Sequence, residues 1–541
     1  MLLKLEASLI VASFAIVLAG CSVKSQVEQA TEDGILLFGN SSEPKGLDPH
    51  QVSGVLESNI IRGLFEGLCV EHQKEDGVAT EGVAKTWTPN DDFTEWTFDL
   101  RDDAKWSDGE PVTAEDFLFA FQRILTPELA SDYSFMLYYI EGAEAFHKGE
   151  TSDFSTVKAT APDPHTLKVK LRGPLPFLPE LTKHYTWFPV PKHTVLKHGA
   201  IDDPFNPWAS EENIVSNGAF KLKTWRFNDH IEVERNPYYW DKANVGLNGI
   251  RYLPVKNLYT EARMFFNHQL HITYTLPPEL IEVAKKEYPD NYRNELYLGT
   301  RFMRVNIDRP GVNDVKVRQA LSIALDTQTL IDSVLQGGQK PAYSIVPPNG
   351  SYRTPKMVEY SPEKAKQLLA EAGYPEGEGF PELNLLTTDQ ETAKRMAEAY
   401  QAMWKEVLGI TVGIRQMEWT SYLTTMFAED YDIAASGWIG DYLDPTTFLD
   451  MWVKDGGNNN TNWSSEEYEA LLHKAENTAD RDERYRVLEQ AEQLMMSERP
   501  ILPVYWYTRN YLVNDDVEGW YPLLLDNHPF KSVRLKKHST K

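Results

Sequence analysis

The sequence predicts α/β or α+β construction in large lobes, and three observations carry that prediction. Short runs of alternating apolar residues, the period of a half-buried strand, are interleaved with longer runs that are apolar at helical spacing. The 541 residues are 42% hydrophobic and 25% charged, enough for several cores. No internal repeat is present, and the one low-complexity patch, Gly456–Asn460, reads as a loop.

The elements follow in order. Residues 35–38 read as a strand, and residues 57–65 as a helix with Ile60, Ile61, Leu64 and Phe65 on one face. Residues 95–100 alternate Trp96, Phe98 and Leu100. Thr113 with Asp116 three positions on is a capping box, opening a helix that presents Phe117, Phe121, Ile124 and Leu125 together. Residues 166–171 alternate again, and prolines from Pro174 to Pro179 close that block. A second block, about 190–298, carries strand signals at 220–225 and 231–235. The third is richer in helices: 314–325, one capped by Asp326 and ending at Gly337-Gly338, 361–372, 392–408, and two within 465–498 divided near Asp480. Strands are expected there at 301–307, 411–417, 431–435 and 501–513.

The chain carries 54 basic and 80 acidic residues, net −26, and no basic face, which argues against a nucleic-acid partner. Its two cysteines exclude a disulfide framework and a cysteine-built metal site. Residues 9–19 are an apolar run too short to span a bilayer, placed where a signal-peptide core belongs. It ends Leu18-Ala19-Gly20-Cys21, small residues leading into a cysteine, similar to the lipobox of bacterial lipoproteins. That similarity implies cleavage after residue 20 and acylation of Cys21, with the polar residues 21–34 as a tether and the rest held to a membrane by lipid. Cys69, in an apolar stretch, reads as a buried small hydrophobe.

Catalytic signatures are missing: no phosphate loop, GxSxG or HExxH occurs. Ser361-Pro362-Glu363-Lys364 matches SxxK without its companions, and reads as a helix start with serine at the N-cap and proline at N1. His268 and His271 lack a carboxylate at ligand spacing and read as surface histidines, so no metal or cofactor is expected. Asp441 and Asp444 are a candidate carboxylate pair for glycoside hydrolysis. Aromatic residues in polar surroundings, including Trp419, Tyr422, Trp438, Tyr442 and Tyr505–Tyr507, suit a wet cleft for a polar ligand.

Several stretches, in order, resemble the family 5 extracellular solute-binding proteins, and within them the oligopeptide binders of ABC importers. They are Leu47-Asp48-Pro49-His50, Phe65-Glu66-Gly67-Leu68, residues 96–117, Ser216-Asn217-Gly218-Ala219-Phe220, Arg235-Asn236-Pro237-Tyr238-Tyr239-Trp240, Val317-Arg318-Gln319-Ala320-Leu321 and residues 365–374. The resemblance implies a two-lobed periplasmic-binding-protein fold. Lobe I would comprise 35–65, 191–298 and 508–541, with an extra domain, 66–190, inserted in it, and lobe II 299–507. It also implies a non-enzymatic, monomeric protein that closes on oligopeptides and delivers them to a membrane permease. A nickel complex or an oligosaccharide is the alternative cargo within the family; a secreted hydrolase is the alternative outside it.

Residues 437–449 resemble the peptide-binding branch, in which the aspartate at the place of Asp441 receives the peptide's α-ammonium. The backbones of Gly437, Trp438 and Ile439, and of Ser53, Gly54 and Val55 from the other lobe, would pair with an extended peptide. Tyr133, Trp419 and Trp438 match pocket positions. Basic residues that hold the peptide C-terminus in some relatives are replaced by Leu335, Ala393 and Ala435, which implies either longer peptides whose C-terminus reaches solvent or other basic groups, such as Arg301 or Arg304, in their place. Cysteines near the pocket of some relatives are replaced by Gly299 and Ile439.

Overall fold

The computed structural model describes residues 24–454 and 456–536. The expected signal peptide and Cys21 lie outside them.

Three sheets organise the chain. In the first, Ile35–Gly39 pairs parallel to Gly249–Leu253, which continues antiparallel to His230–Arg235 and then Phe220–Arg226. The second is antiparallel throughout, in the order Ala84–Pro89, Glu95–Leu100, Thr166–Lys170, Ala159–Asp163. One hydrophobic core joins these two sheets, with Leu36, Ile250, Phe98, Leu167 and Phe117 among its members. The third sheet has six strands, in the order Lys340–Pro341, Ile501–Leu512, Tyr292–Val305, Ile433–Ile439, Leu383–Thr388, Val412–Met417. Successive residues of Tyr292–Val305 feed opposite faces: Phe302 enters a core with Trp452, and Met303 one with Leu385 and Trp404. The fold is α/β and two-lobed.

The two long strands Tyr292–Val305 and Ile501–Leu512 run antiparallel through positions 299 and 507, where the sequence places the edges of lobe II. Their pairing is interrupted between Leu296 and Thr300. At the rim the lobes meet again. Arg172 Nε lies 2.6 Å from Glu476, and the Tyr139 hydroxyl donates to Asp450 at 3.2 Å and shares a hydrogen bond with the Tyr442 hydroxyl at 3.1 Å.

The sequence motifs are long-range ties. Asp48 receives both Arg123 Nη atoms, at 3.0 and 2.7 Å, and Trp208 Nε1 at 2.9 Å. Glu66 accepts from the Tyr239 hydroxyl and from Trp240 Nε1, while Asn217 brackets its backbone at 3.0 and 2.8 Å. Arg318 donates to the carbonyls of Val312, Asn313 and Glu498. Cys69 is buried, and burial pushes its thiol up to about 12.

Three expectations need correction. Residues 26–33, expected as tether, form a helix, Gln26–Asp33, with a Ser25–Glu28 capping box and Gly34 in the left-handed region at φ 71°. His271 is not at the surface. It is fully buried, its Nδ1 accepting from the Leu37 amide at 2.9 Å and its Nε2 lying 3.0 Å from the Thr31 hydroxyl, so it joins that helix to the first sheet; His268 is exposed. The helix after Asp326 passes from Thr327–Leu330 into a π-turn, Ile331–Leu335, and stops at Gln336 in the left-handed region, before the glycine pair. Ser361 does sit before Pro362–Glu371, but its hydroxyl makes no capping bond.

Candidate functional site

Ile433–Ile439 is a central strand on one edge only. Toward Tyr292–Val305 it is fully paired, with Gly437 opposite Arg301, Trp438 opposite Thr300 and Ile439 opposite Gly299. On its other edge it pairs only through Ile433 and Ala434, and Ala435's carbonyl accepts the Tyr422 hydroxyl at 2.7 Å. Ser436 to Ile439 therefore present an open edge beside a packed sheet.

The strand ends because Gly440 must turn. Its amide donates to the Leu298 carbonyl at 2.7 Å, and a Cβ there would meet Leu298 Cδ2 at 2.8 Å. The turn carries two aspartates with different surroundings. Asp444 is buried, bound by Arg484 through two bonds of 2.6 and 2.8 Å, and caps the next helix by accepting from the Thr446 amide and hydroxyl. Asp441 is partly buried, its amide held by the Thr447 hydroxyl at 3.0 Å. Its carboxylate receives one side-chain bond, from the Tyr133 hydroxyl at 3.4 Å, and no basic side chain pairs with it among the described residues. Burial pushes this carboxyl from 3.8 up to about 7, the Tyr133 bond opposing. Two aspartates so differently held do not converge as a hydrolytic pair, since Asp444 is occupied by the fold.

Tyr133 reaches Asp441 from a segment 308 residues away in the chain. Its ring stacks on His184 at 5.8 Å, His184 packs on Tyr185 at 4.2 Å, and the Tyr185 hydroxyl donates to the Val52 carbonyl at 3.3 Å. That relay ties Val52, the residue before Ser53, Gly54 and Val55, to Tyr133. Gly54 precedes the helix Val55–Leu64, and a Cβ on it would collide with the Glu57 carboxylate at 2.0 Å. Ser53 and Val55 are exposed.

The remaining predicted residues divide. Trp438 lies on the opposite sheet face from Gly437 and packs against the Phe302 core. Trp419 is 56% exposed and stacks on Tyr422 at 5.7 Å, and no contact joins it to Asp441 among the described residues. Leu335, Ala393 and Ala435 are buried. A Cβ on Gly299 would lie 2.4 Å from Ile439 Cδ1, so the isoleucine fills the room that glycine vacates. Arg304 is engaged, its guanidinium bonding the Asn458 carbonyl at 2.5 Å and the Ser436 hydroxyl at 3.3 Å. Tyr185 and Tyr297 both lie in the electrostatic neighbourhood of Asp441 and were missed by sequence reasoning, because nothing local separates them from core tyrosines. Among the described residues no group of acidic, histidine and cysteine side chains has the arrangement of a metal site.

Comparison with known proteins places the chain. Residues 79–460 match the family described as bacterial extracellular solute-binding proteins, family 5 Middle. The chain belongs to that family. It is 37% identical over 524 residues to the periplasmic oligopeptide-binding protein OppA of Salmonella typhimurium, covering 94% of each chain. Among solved structures it is similar to the Escherichia coli murein tripeptide binding protein MppA, at TM-score 0.82 and 31% identity, with 93% of this chain and 98% of that one covered. It is also similar to Haemophilus influenzae OppA in complex with the peptide RPPGFSPFR, at TM-score 0.79 and 32% identity, with 94% and 99% covered.

Proposed function

We propose that this protein captures oligopeptides between its two lobes and delivers them, chemically unchanged, to the membrane permease of an ABC importer. The observation that carries the reading is Asp441, a carboxylate without a cation at the end of an open strand edge. A peptide ammonium supplies the missing charge, and the peptide backbone supplies the missing strand. Backbone pairing is blind to side chains, which suits a broad cargo. Relatives named for oligopeptides and a murein tripeptide support the same class of ligand. The lobes are 35–65 with 191–298 and 508–541, carrying the inserted 66–190, and 299–507; they close on the ligand by bending where the two long strands lose their pairing. The protein works as a monomer on the outer side of a membrane, held by lipid on Cys21; Cys21→Ser then frees it from the membrane fraction, and unchanged retention refutes the anchor.

Calorimetry on four combinations tests the ammonium site: wild type and Asp441→Ala, each with a free and an N-acetylated peptide. Truncating one side of a buried charge pair costs about 2–5 kcal/mol, hence a loss of roughly 30- to several-thousand-fold. Acetylation weakens wild type by a similar order, and the two losses do not add. Equal wild-type affinity for free and acetylated peptides would overturn the reading in favour of a non-peptide cargo.

A further inference from the structure

We propose that Asp76 is a positioning residue for the ligand site: through the C-terminal loop of residues 519–529 it holds the turn that carries Asp441. The inference rests on Asp441 as the ammonium site and says what sets that carboxylate in place.

Asp441 is not fixed by its own carboxylate, which has one long bond, from Tyr133. Its place is set by the backbone of the turn. The Gly440 amide donates to the Leu298 carbonyl at 2.7 Å, and Leu298 crowds the glycine, its Cδ2 2.8 Å from where a Cβ would sit. Leu298 itself lies where Tyr292–Val305 loses its pairing with Ile501–Leu512. Its amide donates instead to the Leu524 carbonyl, at 2.7 Å. The Leu524 amide in turn donates to Asp76 Oδ1 at 2.8 Å. Leu298 and Leu524 are thus each held at both amide and carbonyl, so a shift in one moves the other. Asp76 is the one link in this series made by a side chain, and a substitution there cuts it.

The loop between these links spans two cores. Its base belongs to the first: Val517–Glu518 pairs with Arg534–Leu535, and Phe530 and Val533 are buried there with Phe38 and Tyr252. Asp526, at φ 56°, closes a turn by donating its amide to the Leu523 carbonyl at 2.8 Å. Its carboxylate pairs with Arg509 and lies 2.9 Å from His528, which stacks on Trp520 at 3.7 Å. The tip crosses to the other core: Leu524 and Leu525 pack against the cluster of Phe302 and Trp452, as does Leu443 from the Asp441 turn. Asp76 comes from a third place, the turn between the paired strands Cys69–Glu71 and Ala79–Glu81, and Lys74 on that turn lies 4.7 Å from the Tyr521 ring. Three segments remote in sequence therefore meet at Leu524, and the ammonium site stands at the end of the series.

The test pairs calorimetry with hydrogen exchange on the full chain, as wild type, Asp76→Ala and Asp76→Asn, with trialanine and N-acetyl-trialanine as probes. Asp76 is exposed, so neither variant removes a core group. Asparagine keeps an oxygen that accepts from Leu524 and removes the charge; alanine removes both. Alanine is expected to weaken trialanine about three- to ten-fold and to leave the acetylated peptide within about two-fold, because the lost bond acts through the ammonium contact. Asp76→Asn is expected within about two-fold of wild type for both peptides. Alanine should also speed exchange at the Leu298 and Gly440 amides together with Leu524, although those two amides bond to Leu524 and Leu298 and not to residue 76. Equal weakening of both peptides by alanine would make Asp76 a general support of the cleft, and asparagine as weak as alanine would trace the effect to charge; either result overturns the proposal. Unchanged trialanine binding, or unchanged exchange at Leu298 and Gly440, overturns it as well, and the Asp441 reading stands if wild type still prefers the free peptide. If wild type binds both peptides alike, the Asp441 reading fails and the proposal falls with it.

Discussion

Asp441 and Asp444 lie three residues apart in one turn and have opposite surroundings. Asp444 has two bonds from Arg484 and two from Thr446, so both carboxylate oxygens are hydrogen-bonded. Asp441 has a single long bond from a tyrosine across the cleft. Arg484 and Arg301 repeat the contrast in positive charge, one bound to an aspartate and the other with tyrosines as its strongest electrostatic neighbours. In this fold, charges that serve stability find partners within the protein. Asp441 and Arg301, beside the open edge of Ile433–Ile439, have no opposite charge paired with them among the described residues.

If that division is correct, substitutions at the two kinds of site fail in different assays. Arg484→Ala strands Asp444 in the interior and is expected to cost about 3–5 kcal/mol in denaturant unfolding. An unchanged midpoint would break the comparison from the structural side. For Asp441 the expected signature is a pH dependence. Between about 4 and 7 the folded, ligand-free protein holds a proton that the unfolded chain has released. Stability therefore falls as pH rises through that window, and Asp441→Asn removes this contribution. Peptide binding needs the carboxylate, so affinity falls by up to about tenfold per unit as pH drops below 7, and titration at pH 6 releases a proton to buffer. Equal affinities at pH 5.5 and pH 8 would argue against an ammonium contact. The smallest effect belongs to Tyr133→Phe, where loss of a long hydrogen bond is worth about 0.5 kcal/mol, roughly two-fold in affinity.

Local chemistry was legible in the sequence. Thr113 with Asp116 and Asp326 cap helices as the sequence predicts, and Asp314 and Asp480 cap the helices that begin at the positions expected. The same capping-box signature at Ser25 and Glu28 opens Gln26–Asp33, but the polar composition of that helix hid it, since its anchor, His271, is about 240 residues away. The strand Tyr292–Val305 begins nine residues before its sequence signal, because that half gains its order from pairing with Thr508–Leu512. The motifs that carried the family resemblance, around Asp48, Glu66, Asn217 and Arg318, turn out to be ties that hold the fold. The site is legible only where it is one turn, at Asp441. That a carboxylate or a guanidinium has no partner is a property of the whole assembly, and no local pattern encodes it.

The interrupted pairing between Leu296 and Thr300 has a mechanical consequence. Tyr297 is an electrostatic neighbour of Asp441, Leu298 holds Gly440, and Gly299 lies opposite Ile439, so the stretch that loses its pairing with Ile501–Leu512 adjoins the turn that carries Asp441. If closure bends the strands there, the cargo sits at the pivot and not at the jaw tips. A load at a pivot has almost no lever arm. The torque that shuts the jaws must come from the rim, where Arg172 meets Glu476 and Tyr139 meets Asp450. Those contacts involve no atom of the cargo, so a peptide of any sequence that fits without propping the jaws open meets the same closing force.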